Sequence, residues 1–301
     1  MTDRKTETEA KSNRPEGVEA TEKKQKRRSL SPAANLLAAG AVLCFIIGGY
    51  ALFHSRTAGN YHDLQSKADS ASTAVTAAEA GATAANAANT SDTGASSTAA
   101  AAVPAEEIPI NFEEIQQDAP DIYAWIRIPE TQIDYPVCQS PEDKDQDFYL
   151  SHRPDGTEEF AGSIYSQNYN SKDFTDPVTV LYGHDMANGS MFQNLHLYED
   201  EDFFDKNREV ILYLPDKVLH YRVVAAYNTD DGHILLNNDC FENPEVYDLY
   251  LRDLRSRTYV ISGIVDDEAA SHLNRQSRLL ILSTCNNVED QRFIVTCVLE
   301  Q

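Results

Sequence analysis

The sequence predicts a mostly β protein. Residues 107–301 read as a closed, mainly antiparallel β-barrel with peripheral helices, preceded by one transmembrane helix and a disordered spacer. Three observations carry this. Short runs of β-branched and aromatic residues recur from Tyr123 to Glu300, separated by Gly, Pro, Asn and Asp. The stretches between them rarely have the length that a helical crossover between parallel strands needs. One long uncharged apolar run lies well ahead of them, at residues 33–53.

The composition changes along the chain. Residues 1–32 form a polar tail with the basic run KKQKRR at 23–28. Residues 33–53, AANLLAAGAVLCFIIGGYALF, make 21 residues without a charge. A helix of about 20 residues spans the hydrocarbon core of a bilayer. Basic residues lie mainly before this segment, so the positive-inside bias puts the N-terminus in the cytoplasm and the rest outside the cell. A cleaved signal peptide is the competing reading. Its apolar core would be shorter and would end at a small-x-small site, whereas this run exits through Tyr50, Leu52 and Phe53. Residues 54–106 are rich in Ala, Ser and Thr and poor in large apolar side chains. Such a segment cannot bury enough surface to offset its chain entropy and reads as a flexible spacer.

Residues 107–301 are long enough for a sizeable core. They carry 14 Lys/Arg against 37 Asp/Glu and account for the whole net charge of −23. A phosphate backbone would be repelled, so nucleic acid is not an expected partner. The five cysteines are Cys44, Cys138, Cys240, Cys285 and Cys297. None of the four beyond the apolar run has CxxC spacing. They read as mostly free thiols, and neither a structural zinc site nor any other cofactor is expected.

Within this region NFEEIQQDA (111–119) reads as a short helix that stops before Pro120. The β-rich runs are 123–128, 133–137, 162–166, 178–183, 209–214 and 219–227, and then RLLILST (278–284) and RFIVTCVLE (292–300). Residues 189–204 hold Met191, Phe192, Leu195, Leu197 and Phe203 at helical spacing. PEVYDLYLRDLRS (244–256) is the clearest helix, with Pro244 in its first turn. Val246, Tyr247, Leu249, Tyr250, Leu251 and Leu254 are expected to crowd one side of it.

A cysteine nucleophile needs an accessible thiol, an acid/base partner, and a cation or N–H donors for the oxyanion. Cys285 ends an apolar strand, and Arg292 opens the next one seven positions later. If the two strands pair as a hairpin, thiol and guanidinium face each other across its mouth. His184 ends another strand in VLYGHDM, with Gly183 expected to turn the backbone just before it. Histidine can give or take a proton near neutral pH. Each residue has a bland reading alone: a buried small hydrophobe, a solvated edge charge, a surface histidine. Their joint pattern is what points to chemistry.

That pattern resembles the sortase family. ILSTC (281–285), RFIV (292–295) and VLYGHDM (180–186) match its signature stretches. WIRIPETQIDYPV (125–137), GSIYSQNYN (162–170), YGHDMANGSMFQNL (182–195) and the helix at 244–256 look like class B sortases in particular. The resemblance covers essentially all of 107–301. Ile281 departs from the Thr common in other classes, and the Asn286-Asn287 pair falls at a variable position. The lid motif and C-terminal anchor of pilin-polymerising class C enzymes are not seen, which weighs against a pilus role.

The resemblance implies a membrane-anchored cysteine transpeptidase on the cell surface. Cys285 would attack a Thr carbonyl in a C-terminal sorting motif, Asn-Pro-x-Thr or Leu-Pro-x-Thr, of an exported protein. His184 would protonate the leaving amine, and Arg292 would stabilise the oxyanion or orient the substrate. A cell-wall or pilin amine would resolve the thioacyl-enzyme. Tyr182 and Ser283 are expected to line the substrate groove. Two other readings remain open. One is a surface-anchored cysteine peptidase or amidase with the same three residues, of which the papain-like kind is disfavoured because His184 precedes Cys285 in the chain; the other is a non-catalytic surface scaffold, which predicts no reactive thiol.

Overall fold

The computed structural model describes residues 66–67, 106–286 and 288–300. The expected basic tail, the apolar run 33–53 and all but residues 66, 67 and 106 of the expected spacer lie outside the described residues. Among the described residues, no helix is long and apolar enough to cross a membrane.

The order of elements begins with helix α1 (Phe112–Asp118). The Asn111 side chain accepts from the Glu114 N–H at 3.2 Å and caps this helix, as Asn does well at this position. Strands β1 (Ile122–Arg127), β2 (Asp134–Gln139), β3 (Ile164–Ser166) and β4 (Val178–Tyr182) follow, then helix α2 (Glu201–Lys206), β5 (Glu209–Tyr213) and β6 (Val218–Asp230). The chain continues through α3 (Ile234–Asn237), α4 (Pro244–Arg255), β7 (Ser262–Val265) and α5 (Asp267–His272) to β8 (Leu279–Cys285) and β9 (Gln291–Leu299).

Eight strands close a barrel in the order β5-β1-β2-β3-β4-β8-β9-β6, with β6 returning to β5. The 13-residue β6 makes the closure possible. Its first half pairs with β5, and its second half pairs on the same edge with β7, which hangs outside the ring. All barrel pairings are antiparallel except β2 with β3 and β4 with β8. The parallel β4–β8 pair is the one that matters for function, because it lays two distant strands side by side, ending at the same rim.

Alternation along the strands divides the core. Leu181, Leu280, Leu282, Phe293, Val295 and Cys297 point into the barrel. Val178, Val180, Leu279, Ile281 and Ile294 point outward under α4. A third cluster holds Trp125, Ile115, Phe112 and Cys138 beneath α1. Side chains two apart share a face. Tyr182 therefore follows Val180 outward, Ser283 and Cys285 follow Ile281, and Arg292 precedes Ile294.

The structure corrects several details of the sequence reading. In α4 the buried face is Tyr247, Tyr250, Leu251 and Leu254, while Leu249 lies on the opposite side and is 42% exposed. Asn243 caps this helix, accepting from the Glu245 N–H at 2.9 Å. The helical run over 189–204 is broken. Residues Gln193–Glu199 form a 3-10 turn, and Asp200 then caps α2 by accepting from the Phe203 N–H at 2.9 Å. Leu197 is on the outside of that turn and is exposed. The short strand β7 and helices α3 and α5 were not anticipated.

Gly183 has a different role from the backbone turn expected of it. A Cβ there would lie 2.5 Å from Ile164 Cδ1 and 2.8 Å from the Phe192 ring, both fully buried. The position is closely packed, so its requirement is space. Gly183→Ala is expected to cost about 1–3 kcal/mol by overpacking. A denaturant midpoint equal to that of the unmodified protein would show that the rim has slack.

Candidate active site

The ends of β4, β8 and β9 meet at one rim of the barrel. In the parallel pair, Tyr182 lies opposite Ser283. The match continues one residue further: the Gly183 N–H donates to Ser283 O at 3.1 Å, and Thr284 Oγ1 donates to Gly183 O at 2.8 Å. His184 thus leaves β4 beside the end of β8. On the other side of β8, Cys285 is directly opposite Arg292. The hairpin expected from sequence is present, with the two residues in register at its mouth.

These side chains share a cleft of about 260 Å³. Leu150, Tyr182, His184, Ser283, Cys285 and Arg292 line it, with residues 229–234 forming another wall. Among the described cysteines only Cys285 is exposed, and all four are free thiols. Burial pushes the Cys138 and Cys297 thiols up. Burial also raises the Cys240 thiol, helped by the charges of Glu242 and Asp239.

His184 is held on two sides by the segment between β2 and β3. Its Nε2 is 2.9 Å from Leu150 O, and its ring stacks on Phe160 at 5.5 Å between centroids and 16° between planes. A carbonyl can only accept, so Nε2 carries the hydrogen. Burial pushes the His184 pKa below the ordinary imidazole value, with the Leu150 hydrogen bond pulling weakly the other way. The favoured form at neutral pH is therefore the neutral tautomer with Nδ1 unprotonated. Gly162 makes the Leu150 contact possible. It has φ +60°, and a Cβ there would come within hydrogen-bond distance of Leu150 O, far closer than carbon approaches oxygen.

Arg292 Nη1 donates to Gln291 O at 3.0 Å, which fixes the plane of the guanidinium. Among the described residues no carboxylate lies within ion-pair distance of it. Its remaining donors are left for a ligand. Burial, and then the charge of Asp147, push the Tyr182 phenol up while Arg292 pulls it down, so the hydroxyl stays protonated as a potential donor. Ser283 is buried between His184 and Arg292 along the rim. Among the described residues no group of His, Cys, Asp or Glu is arranged to hold a metal ion.

The structure brings together Cys285, His184 and Arg292, the three residues singled out from the sequence, and adds what holds them. Leu150 O is a backbone atom and has no sequence signal. Phe160 lies in a polar loop, TEEF, where a lone aromatic gave only a faint one.

A thiol, an imidazole with a free nitrogen and an unpaired guanidinium in one cleft are the parts needed for acyl transfer through a thioester. Comparison with known proteins agrees. The family model for the Sortase domain matches residues 126–300, and the chain belongs to the sortase family of cysteine transpeptidases. Its relatives are of class B. The chain is 29% identical over 184 residues to Sortase B of Listeria monocytogenes, which covers 61% of this chain and 70% of that protein. It is similar to the crystal structure of Clostridium perfringens Sortase B, with TM-score 0.53 and 29% identity, over 63% of this chain and 99% of that one. A Streptococcus pyogenes class B sortase involved in pilus biogenesis matches with TM-score 0.51 and 25% identity, over 63% of this chain and 98% of that one.

Proposed function

We propose that Cys285, His184 and Arg292 carry the transpeptidation, on exported proteins with an Asn-Pro-x-Thr or Leu-Pro-x-Thr sorting motif. The observation that carries this reading is the register of the rim: Cys285 opposite Arg292 on one side, and His184 beside the end of β8 on the other. His184 Nδ1 takes the thiol proton as Cys285 Sγ attacks the Thr carbonyl. The Arg292 guanidinium receives the negative charge that develops on the oxygen. The C–N bond breaks as His184 returns its proton to the leaving amine. An amine from a cell-wall precursor or a pilin subunit then attacks the thioester and restores the thiol. The pilus-associated relative supports the second acceptor. Tyr182 and Ser283 line the groove in which the motif lies.

The same reading takes 1–32 as a cytoplasmic tail, 33–53 as the membrane anchor, 54–106 as the spacer and 107–301 as the catalytic domain outside the cell. The uncharged run preceded by KKQKRR supports it.

Thiol labelling tests the assignment. A small methanethiosulfonate should modify Cys285 before Cys138, Cys240 or Cys297 in the folded chain, since it is the exposed thiol with a base and a cation beside it. Incubation with an Asn-Pro-x-Thr peptide should then give a thioacyl adduct on the same residue by mass spectrometry, and prior labelling should block it. Labelling of Cys240 ahead of Cys285, or an adduct mapped elsewhere, would overturn the reading.

A further inference from the structure

The 3-10 turn Gln193–Glu199 brings a second histidine to the nucleophile strand. Buried Leu195 and Tyr198 pin one side of this turn against the barrel interior. His196, on another side, stacks on Phe293, with centroids 4.7 Å apart and planes at 25°. Phe293 is fully buried and adjacent to Arg292. His196 does not line the cleft that holds Cys285. It reaches the strand from the neighbouring depression formed with Asp185, Asn286 and Gln291. There its Nε2 lies 3.2 Å from the backbone oxygen of Cys285. Its Nδ1 lies 2.9 Å from Glu199 Oε1, and Asp185 Oδ2 is 3.7 Å from Nε2.

Both ring nitrogens thus face oxygens that have no proton to offer. A carbonyl can only accept, so Nε2 carries the hydrogen that it donates to Cys285 O. Beyond Cys285 the chain enters the β8–β9 turn, where the strand ladder no longer holds it. The Cys285 peptide is the last point at which the direction of the nucleophile's Cα–Cβ bond can be fixed. Resting on the assignment of Cys285 as nucleophile, we propose that His196 is a positioning residue: its Nε2–H clamps the Cys285 carbonyl to the 3-10 turn and holds the thiol in line with its substrate. The charged and titratable groups around it are Glu199 on its own turn, Asp185 after β4, Cys285 itself on β8, and Arg292 beside Phe293 on β9. From β6 comes only the neutral Asn228.

The test measures kcat and KM for thioacylation of the full-length chain by a quenched Asn-Pro-x-Thr peptide, with unfolding midpoints in parallel. His196→Phe keeps the ring over Phe293 and removes the donors. It should lower kcat by about 10-fold to 10²-fold with KM little changed, the scale of a small misplacement of a reacting group. His196→Gln keeps an amide N–H for the carbonyl and should recover most of kcat. Should His196→Phe fail to unfold cooperatively, the same comparison with His196→Leu decides. Unmodified kcat in a stable His196→Phe protein, or a His196→Gln protein no faster than His196→Phe, would overturn the proposal. A wild-type chain that gives no adduct would overturn the Cys285 assignment first, and this inference with it.

Discussion

Cys285→Ala is expected to abolish thioacyl-enzyme formation, and His184→Ala to come close. No other described thiol can substitute, because Cys138 and Cys297 are fully buried and Cys240 belongs to a different segment outside the rim. For His184 the expected loss is about 10²–10⁴ in rate, the range for a positioned general acid/base. The unassisted alternative expels an unprotonated amine from a tetrahedral intermediate. The pH profile gives a separate check. Protonated His184 has no lone pair for the thiol proton, so activity is lost as pH falls through its folded pKa. Burial places that pKa below the ordinary value of about 6.5. The acid limb of the wild-type profile should therefore lie below pH 6.5, and it should disappear from the residual activity of His184→Ala. An acid limb centred above that value would show that His184 is less desolvated than its packing against Phe160 and Leu150 implies.

The rim was legible in the sequence because its residues sit at the ends of strands with strong patterns. Alternation through Leu279–Cys285 and Gln291–Leu299 fixes which side chains face outward, and the six residues between Cys285 and Arg292 suit a hairpin whose mouth these two close. The barrel class was legible for the same reason, since eight runs with period-two patterning must close or expose an edge. What was not legible is tertiary. Nothing in Val178–Tyr182 says that it pairs in parallel with Leu279–Cys285, about a hundred residues later, yet this pairing brings His184 to the thiol. Ser262–Val265 escaped notice because Ser and Gly are poor strand formers and only Val265 is buried. Leu150 O and Gly162 orient His184 through backbone geometry alone. His196 carries no signal in the sequence, and only the packing of the turn on Phe293 reveals what it faces.

Arg292→Lys is expected to lower the rate of thioacylation by about 10²–10³, the scale for removing one oxyanion donor, although the charge is kept. The reason lies in how the guanidinium is held. Cys285 and Arg292 are partners across β8–β9, so the cation is delivered to the thiol's side of the hairpin at fixed register. One donor is already used on Gln291 O, and this contact sets the plane in which the others lie. The planar fork can then meet the oxyanion and a neighbouring carbonyl of the motif at once. A lysine ammonium carries its donors on one nitrogen at the end of a flexible stem. To reach the oxyanion it must leave Gln291 O, and it cannot span two acceptors in one plane. If the guanidinium acts on the transition state, kcat should fall with KM nearly unchanged. If it chiefly grips the bound motif, KM should rise and kcat survive. Arg292 is half-buried and belongs to no core cluster, so the unfolding midpoint of the variant should stay where it is. An Arg292→Lys enzyme with near-wild-type kcat/KM would show that charge alone suffices, and the two-acceptor role of Arg292 would have to be abandoned.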